Sequence, residues 1–370
     1  MNHYPSNVKE KLNSIILSMA EHHWLFSQNP GHDFTRQHLG KLSFYDTMRL
    51  IISMGKGSTN DEIMDYFDLD PDLIPSQSAF CQRRRQISLS AFEYLFSEFS
   101  SSFPSTTDKF KDHCILACDG CHVVYATNSD IIEDYNKPRL IDYKGYNHMH
   151  LNGFVDVISK AFLDVVIQPG QQPDEREALH SMLDHFTPDD PQKYIITADR
   201  GYESYDLLFH CELKNLGYVF RVKSPSSPKS ILSYYASELP DDLEEFDVTI
   251  KRFFTDKATN IMKSQSDVYR YINPSKNTPH FYELLRKKHS HLYFLQFRVV
   301  KIKTSENTYE YLITNLPFSF TLDDIRECYH WRWGIEISFR YLKHAAGLLY
   351  FHSKQPEFLK QEIYSRLILY

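Results

Sequence analysis

The chain has 370 residues, of which 42% are hydrophobic and 15% aromatic, so it is long enough for two or three folded domains with a sizeable core. The sequence contains no run of 18 or more apolar residues and begins without the features of a secretion signal, so we expect a cytoplasmic protein that does not span a membrane. The net charge of −7 argues mildly against binding to a polyanion, because a basic surface is the usual requirement.

The six cysteines do not have the spacing of a disulfide framework. Cys114, Cys118 and Cys121 are close enough in sequence to raise the possibility of structural zinc. However, CILACDGC has the pattern of a strand, and no pair with finger-like spacing follows it. We therefore predict that these residues are core thiols.

Residues 1–105 are predicted to form a helical domain. The segments KEKLNSIILSMAEHHW and SFYDTMRLIISM carry apolar residues at helical spacing. A helix is predicted after Ser58, and a second around SQSAFCQRRRQIS, which together suggest a variant helix-turn-helix in which Arg83 and Arg84 contact DNA. The alternative is a charged surface helix in an ordinary bundle, with these arginines merely solvated.

Residues 110–223 change to an α/β pattern. Three apolar strands in succession (HCILACDG, HMHLNGFVDVIS and AFLDVVIQP) precede a helix, a strand, a second helix and a further strand, YVFRVK. This order predicts a mixed sheet flanked by helices, as in a ribonuclease-H-like domain that also includes residues 317–370. Residues 224–316 are predicted to be a β-rich insertion. Within it, residues 251–303 carry twelve Lys or Arg against three acidic residues, while the preceding ELPDDLEEFD is acidic. Such segregated charge can steer a polyanion despite the negative total.

Two aspartates are predicted to end neighbouring strands: Asp119 in LACDGC and Asp199 in IITADRGY. Each could be no more than a turn aspartate before or near glycine. Parallel strands, however, would bring both carboxylates to one edge of the sheet, where open α/β sheets place their sites.

A third carboxylate lies in YHWRWGIEISFRYLKHAAG, which is predicted to be one long helix. Tyr329, Arg332, Glu336 and Lys343 have the spacing Y-x2-R-x3-E-x6-K and would share one stripe about 60° wide. The alternative is a solvated helix face. If Glu336 joins the two aspartates, three carboxylates suit two Mg²⁺ ions, which prefer oxygen ligands, and the chemistry is phosphoryl transfer by in-line displacement.

These motifs resemble those of bacterial DDE transposases of the insertion-sequence-four family. The glutamate helix resembles the Y-R-E-K signature, and ACDGC, TADRGYES, GYVFRVKS and YLITNLP resemble other segments of the family in the same order. One departure is Cys121, where a serine more often follows the Asp-Gly pair. A second is the chain end, KQEIYSRLILY, beyond which family members commonly continue, so we expect a truncated or short variant.

The resemblance implies that Asp119, Asp199 and Glu336 are the catalytic, metal-binding triad, with two Mg²⁺ ions for which Mn²⁺ can substitute. It also implies that Tyr329, Arg332 and Lys343 hold the DNA end. Further expected DNA contacts are Trp333, stacking on an unpaired base, and Arg200 and Lys223, which could instead balance the acidic site. The expected partners are terminal inverted repeats, target DNA and a second copy of the chain, and the expected location is the nucleoid. A nuclease without strand transfer and an inactive DNA-binding relic remain as alternatives.

Overall fold

A computed structural model describes residues 4–28, 34, 42–102, 109–138, 144–273 and 278–370. Among these residues no helix combines the length and the apolar character needed to cross a lipid bilayer. The helices are α1 Tyr4–Glu21, α2 Phe44–Ser53, α3 Thr59–Tyr66, α4 Gln77–Gln86, α5 Leu89–Ser101, α6 Glu175–His185, α7 Tyr205–Leu213, α8 Asn260–Ser264, α9 Pro279–Lys287, α10 Leu322–Trp331, α11 Gly334–His344 and α12 Pro356–Leu369. The strands are β1 Cys114–Tyr125, β2 Tyr135–Asn136, β3 Tyr146–Asp156, β4 Ala161–Pro169, β5 Tyr194–Ala198, β6 Gly217–Val222, β7 Phe246–Thr255, β8 Tyr269–Tyr271, β9 Leu292–Ser305 and β10 Thr308–Thr314.

The ten strands form one mixed sheet in the order β2-β3-β1-β5-β6-β10-β9-β7-β8, with β4 also paired to β3. Strands β1, β3 and β4 are antiparallel, whereas β1, β5 and β6 run parallel and are linked through α6 and α7. This arrangement confirms the predicted ribonuclease-H-like fold class, a mixed sheet flanked by helices.

Both faces of the sheet are buried. Alternate residues of β1 enter different hydrophobic clusters: Ile115 and Ala117 pack with the N-terminal helices and α10 to α12, and Leu116 and Cys118 pack with α6, α7 and α9. Period-two alternation of this kind is what a strand between two helical layers requires. Cys114, Cys118 and Cys121 all lie on β1. Cys114 and Cys118 are buried, which agrees with the prediction of core thiols, whereas Cys121 is half-buried.

The inserted segment does not form a separate sheet. Strand β10 pairs antiparallel with β6 and carries β9, β7 and β8 with it, so residues 246–314 extend the central sheet at one edge. The segment also contains α8 and α9, which the prediction of a β-rich insertion did not include. Helix α9 packs on α7 of the central domain.

The predicted helix starts in the N-terminal region are confirmed. Ser58 caps α3 in a reciprocal arrangement with Asp61, and Ser76 accepts a hydrogen bond from the Ala79 amide at the start of α4. Helix α12, which we assigned to the catalytic domain, packs against α2 and α5 of the helical region. The two ends of the chain therefore share one core.

The glutamate helix differs from the prediction. Instead of one continuous helix it forms α10 and α11, with a tight turn at Arg332 and Trp333 made by hydrogen bonds to residues three positions earlier. The junction lies against the β3–β4 turn. A Cβ atom on Gly334 would come within 3.1 Å of the Val157 Cβ, so the absence of a side chain permits this approach.

Candidate active site

Asp119 and Asp199 lie side by side on the parallel strands β1 and β5. The last paired residues of these strands are Ala117 and Thr197, so each aspartate follows two positions later at the same level. Asp199 directly follows β5 and accepts a hydrogen bond of 2.6 Å from the Gly201 amide. The parallel pairing of β1 and β5 therefore places the two aspartates at one level of the sheet.

Asp119 does not end its strand, which corrects the sequence interpretation. Strand β1 continues to Tyr125 because β3 remains paired with it, and Gly120 lies opposite Asn152 within that ladder. Gly120 is therefore not a turn residue. A Cβ atom there would come within 2.2 Å of His150 Nε2 and 2.9 Å of Glu175 Oε1, so the glycine makes room for two side chains at the site.

Arg332 connects the third carboxylate to the first. Its Nη2 donates to Glu336 Oε1 at 3.0 Å, and its Nη1 lies 3.6 Å from Asp119 Oδ2. The guanidinium is 3% exposed and stacks on the Trp333 ring at 4.6 Å. The turn between α10 and α11 thus positions Arg332 between a strand residue and a helix residue.

Sequence reasoning missed Glu175, the first residue of α6. Its Oε1 is 3.1 Å from His150 Nε2. A Cβ atom placed on Gly201 would lie 3.6 Å from Glu175 Oε2 and 2.9 Å from Asp199 Oδ1. A fourth carboxylate therefore reaches the loop that holds Asp199. The sequence gives no reason to select Glu175 from the acidic run DEREA, because only the position of α6 over the sheet distinguishes it.

The crowding of acidic groups is visible in the electrostatics. Burial raises the pKa of Asp119 to about 6, and the charges of Asp199 and Glu175 add to this effect while Gly120 and Arg332 oppose it. A divalent cation would relieve the same repulsion. The donor set, carboxylate oxygens only, has the chemistry that Mg²⁺ or Mn²⁺ prefers. In this structure, however, Asp119, Asp199 and Glu336 do not bring one oxygen each within 4.8 Å of one another, so the residues fit such an ion by their chemistry and not by their spacing.

The residues expected to grip a DNA end have different environments. Tyr329 is 2% exposed, its hydroxyl lacks a partner among the described residues, and burial raises its pKa to about 12. It lies against Arg332, with the guanidinium 5.7 Å from its ring centre. This burial corrects the expectation of direct contact between Tyr329 and DNA in this conformation.

Lys343 is half-buried and therefore partly accessible, and Trp333 is exposed. The Lys343 ammonium lies beside the thiol of Cys121 on β1. Burial raises the pKa of that thiol to about 11, and the charge of Lys343 opposes this rise. Trp333 is 45% exposed and Trp331 40%, so neither is a core residue. Accessible positive charge and an aromatic face therefore flank the carboxylates.

Arg200 is exposed next to Asp199, where a phosphate could reach it. Lys223 instead donates to Glu203, with its Nζ 3.2 Å from Oε2 of that buried carboxylate. The alternative to DNA contact was that Lys223 balances the charge of the acidic site. Lys223 does neutralise a carboxylate, but that carboxylate is Glu203 and not one of the two aspartates.

Arg84 is buried, which corrects its expected role as a DNA contact. The side chain is 3% exposed and donates to Glu362 Oε1 at 2.9 Å, to Gln361 Oε1 at 2.9 Å and to the Phe358 carbonyl at 2.7 Å. These three contacts all reach residues of α12. Arg83, on the next position of α4, stacks on Phe34 with its guanidinium 4.9 Å from the ring centre.

The basic stretch of residues 251–303 is partly neutralised in the folded chain. The acidic run before it returns along the sheet edge and pairs with four of its cations, Arg252 with Glu238, Lys301 with Asp241, Lys303 with Glu244 and Arg298 with Asp247. The local excess of positive charge read from the sequence therefore overstates the field that this segment can offer to DNA.

Comparison with known proteins identifies the family of the chain. The sequence profile described as "Transposase DDE domain" matches residues 110–370. The chain therefore belongs to the DDE transposase domain family, whose members typically catalyse phosphoryl transfer with divalent metal ions. No curated protein matches the chain. A cryo-EM structure of a piggyBac transposase synaptic complex with hairpin DNA is similar with a TM-score of 0.45 and 10% identity, over 96% of this chain and 70% of that one.

Proposed function

We propose that the chain is a DNA transposase of the insertion-sequence-four type, which cleaves DNA at the ends of its element and joins them to target DNA. One observation carries this proposal: Asp119 and Asp199 lie at one level of the sheet, and Arg332 ties Glu336 to Asp119 across 217 residues of sequence. Strand positions and a helix position remote from each other in sequence thus form one acidic site inside the matched family domain.

The three carboxylates would hold two divalent cations, Mg²⁺ or Mn²⁺. When bound, such a pair activates an attacking water or 3′-hydroxyl and stabilises the leaving oxygen. The chain itself fixes the geometry: β1 and β5 set the spacing of the aspartates, and Arg332 orients Glu336. Glu175 adds negative charge on the opposite side of Asp199.

The DNA end would lie over the exposed side of α11. Lys343 supplies a point charge to a phosphate, Arg200 a second cation beside Asp199, and Trp333 a face on which an extruded base can stack. Tyr329 acts indirectly in this proposal, because its ring supports the Arg332 guanidinium. Pairing of two ends by a homodimer, in the nucleoid, completes the proposal.

The test is cleavage of a labelled DNA fragment that carries the genomic flanks of the reading frame, with Mg²⁺ or with EDTA. We expect metal-dependent cuts at an inverted-repeat boundary, followed by strand-transfer products. Glu336→Gln should abolish cleavage and leave end binding largely intact, because it removes the anionic charge of a metal ligand while keeping the side-chain shape. Glu327→Gln, on the exposed face of α10, is the matched control and should behave like the wild type.

Each other outcome has a distinct meaning. Cuts without strand transfer would make the protein a nuclease, and end binding without any cleavage would make it an inactive relic. If Glu336→Gln lost binding and cleavage equally, the role of Glu336 as a metal ligand would be refuted.

A further inference from the structure

A cluster of three histidines lies apart from the carboxylate site, between three helices. His180 is on α6, His210 on α7, and His280 on the first turn of α9. Their potential ligand atoms all lie within 4.8 Å of one another, and no other group of this kind occurs among the described residues. Two of these helices belong to the central domain, and the third belongs to the inserted segment.

Two carboxylates complete the surroundings. Asp206 is 1% exposed, and its Oδ1 accepts the His280 and Phe281 amides at 3.1 and 3.2 Å. Its Oδ2 is 2.7 Å from His280 Nδ1 and 3.6 Å from His180 Nε2. Asp184 Oδ1 is 3.2 Å from His210 Nε2. One oxygen of Asp206 is thus fixed by the backbone of α9, and the other faces the histidines.

The imidazoles of His180 and His210 face each other through their Nδ1 atoms at 2.9 Å, so one of these nitrogens donates and the other accepts. His210 Nε2 lies 3.2 Å from Asp184 Oδ1, whereas the 3.6 Å between His180 Nε2 and Asp206 Oδ2 is too long for a hydrogen bond. Neutral rings therefore satisfy the short contacts, and the two Nδ1 atoms lie at a separation that also suits two ligands of one ion.

The dimensions suit a tetrahedral transition-metal ion. Two nitrogens bound to one Zn²⁺ at about 2.0–2.1 Å lie about 3.3 Å apart. The Nδ1 pair is already near that separation. The His210 and His280 rings are stacked at 3.8 Å with 10° between their planes, so His280 must rotate about its side-chain bonds before its in-plane lone pair faces the same ion. A cavity of about 370 Å³, lined by His180, His280, Asp184 and Asp206 among others, gives an ion a route from solvent.

We propose that His180, His210, His280 and Asp206 form a structural Zn²⁺ site that joins the inserted segment to the central domain. Imidazole nitrogen selects Zn²⁺ over Mg²⁺, so this site and the all-oxygen active site would take different metals. The ion would tie α9 to α6 and α7. Because α6 begins with Glu175, it would also steady the acidic group nearest to Asp199.

The experiment measures Zn²⁺ binding to the full chain without DNA, so it does not depend on the proposed activity. Metal-free protein competes with a chromogenic chelator for Zn²⁺ in millimolar Mg²⁺, which saturates any site that prefers hard cations. We expect one tightly bound equivalent, a rise in Tm on adding Zn²⁺, and visible absorption bands of tetrahedral geometry with Co²⁺.

Variants locate the ion. His280→Gln and Asp206→Asn should each weaken Zn²⁺ binding at least tenfold. His185→Gln is the control, since His185 ends α6 as an exposed residue paired with Asp164. Circular dichroism checks that each variant folds. Absence of a bound equivalent, its displacement by Mg²⁺, or an equal loss in His185→Gln would overturn the proposal and leave a hydrogen-bonded histidine cluster only.

Discussion

Arg332 shows how one side chain can order an acidic site. A guanidinium that is 3% exposed would be costly to bury without partners, and here it has carboxylates on two sides. Its planar fork can address both, which a lysine ammonium could not do with the same geometry. The Tyr329 ring beneath it and the Trp333 ring beside it restrict its rotation.

Neutralising Asp119 should stabilise the metal-free fold at alkaline pH. Burial raises the pKa of this carboxyl from about 3.8 in the unfolded chain to about 6 in the folded one, so protonation favours the folded state. This stabilisation is complete below about pH 3.8 and is lost as the pH rises through about 6. Asp119→Asn should therefore increase the free energy of unfolding by about 2–3 kcal/mol at pH 8, with the gain vanishing near pH 4. Urea unfolding in chelator measures it, with Asp130→Asn as the exposed control. A loss of stability at pH 8 would show that the Arg332 contact outweighs desolvation.

Removing the charge of Lys343 should reduce the salt dependence of end binding. Each phosphate contact contributes about 0.9 to the slope of log affinity against log salt concentration, so Lys343→Ala should lower the slope by about one unit. The measurement is a binding titration at several salt concentrations. Lys303→Ala serves as control, since that ammonium is already paired with Glu244 at 2.7 Å. An unchanged slope for Lys343→Ala would show that Lys343 is a solvated helix residue that does not contact phosphate.

At the scale of elements, the junction of α10 and α11 decides where Glu336 lies. The pattern of apolar residues predicts a single helix because each half has helical spacing, and nothing local signals the turn. Directly after this turn, Gly334 packs against Val157 from the β3–β4 turn. A contact distant in sequence therefore lies at the break in the helix that carries the catalytic candidate.

Gly334→Ala tests this junction. Alanine should favour helix by about 1 kcal/mol, but its Cβ would meet the Val157 Cβ at 3.1 Å, and overpacking of this kind costs about 1–3 kcal/mol. We expect a net loss of stability in urea and a larger loss of DNA cleavage, because Glu336 shifts with the helix. Arg340→Ala, exposed on α11, should change stability by no more than about 0.5 kcal/mol. A higher urea midpoint for Gly334→Ala would contradict the packing argument.

At the scale of the whole molecule, α12 closes the structure by returning to the N-terminal helices. Two of its charged residues are buried: Glu362 pairs with Arg84 at 2.9 Å, and Arg366 is 1% exposed. The DNA-binding interpretation of the three consecutive arginines thus fails for the middle one, which holds two remote parts of the chain together.

Breaking the Arg84–Glu362 pair should therefore impair folding rather than DNA binding alone. Arg84→Met leaves the buried Glu362 carboxylate with His352 alone, which contacts it through its backbone amide and its ring, at a cost of up to about 3–5 kcal/mol. Arg84→Met combined with Glu362→Met should recover much of that loss, whereas Arg85→Met, at an exposed position, should be nearly neutral. Urea unfolding and a DNA-binding titration on the same variants provide the measurements. If Arg84→Met kept the stability of the wild type but lost DNA binding, Arg84 would be a DNA contact, as the sequence predicted.

Local sequence patterns by themselves predicted the succession of strands and helices in residues 110–223 and the helix starts at Ser58 and Ser76. They also predicted that neighbouring parallel strands bring Asp119 and Asp199 to one level, although Asp119 lies within its strand and not at its end. They could do so because residue periodicity, capping and strand ends depend on neighbours in the chain. Only the tertiary structure revealed Glu175 beside the aspartates, the burial of Arg84 by Glu362, the neutralisation of residues 251–303 and the meeting of His180, His210 and His280. Which charge is buried, paired or free depends on residues tens to hundreds of positions away, and no local pattern carries that information.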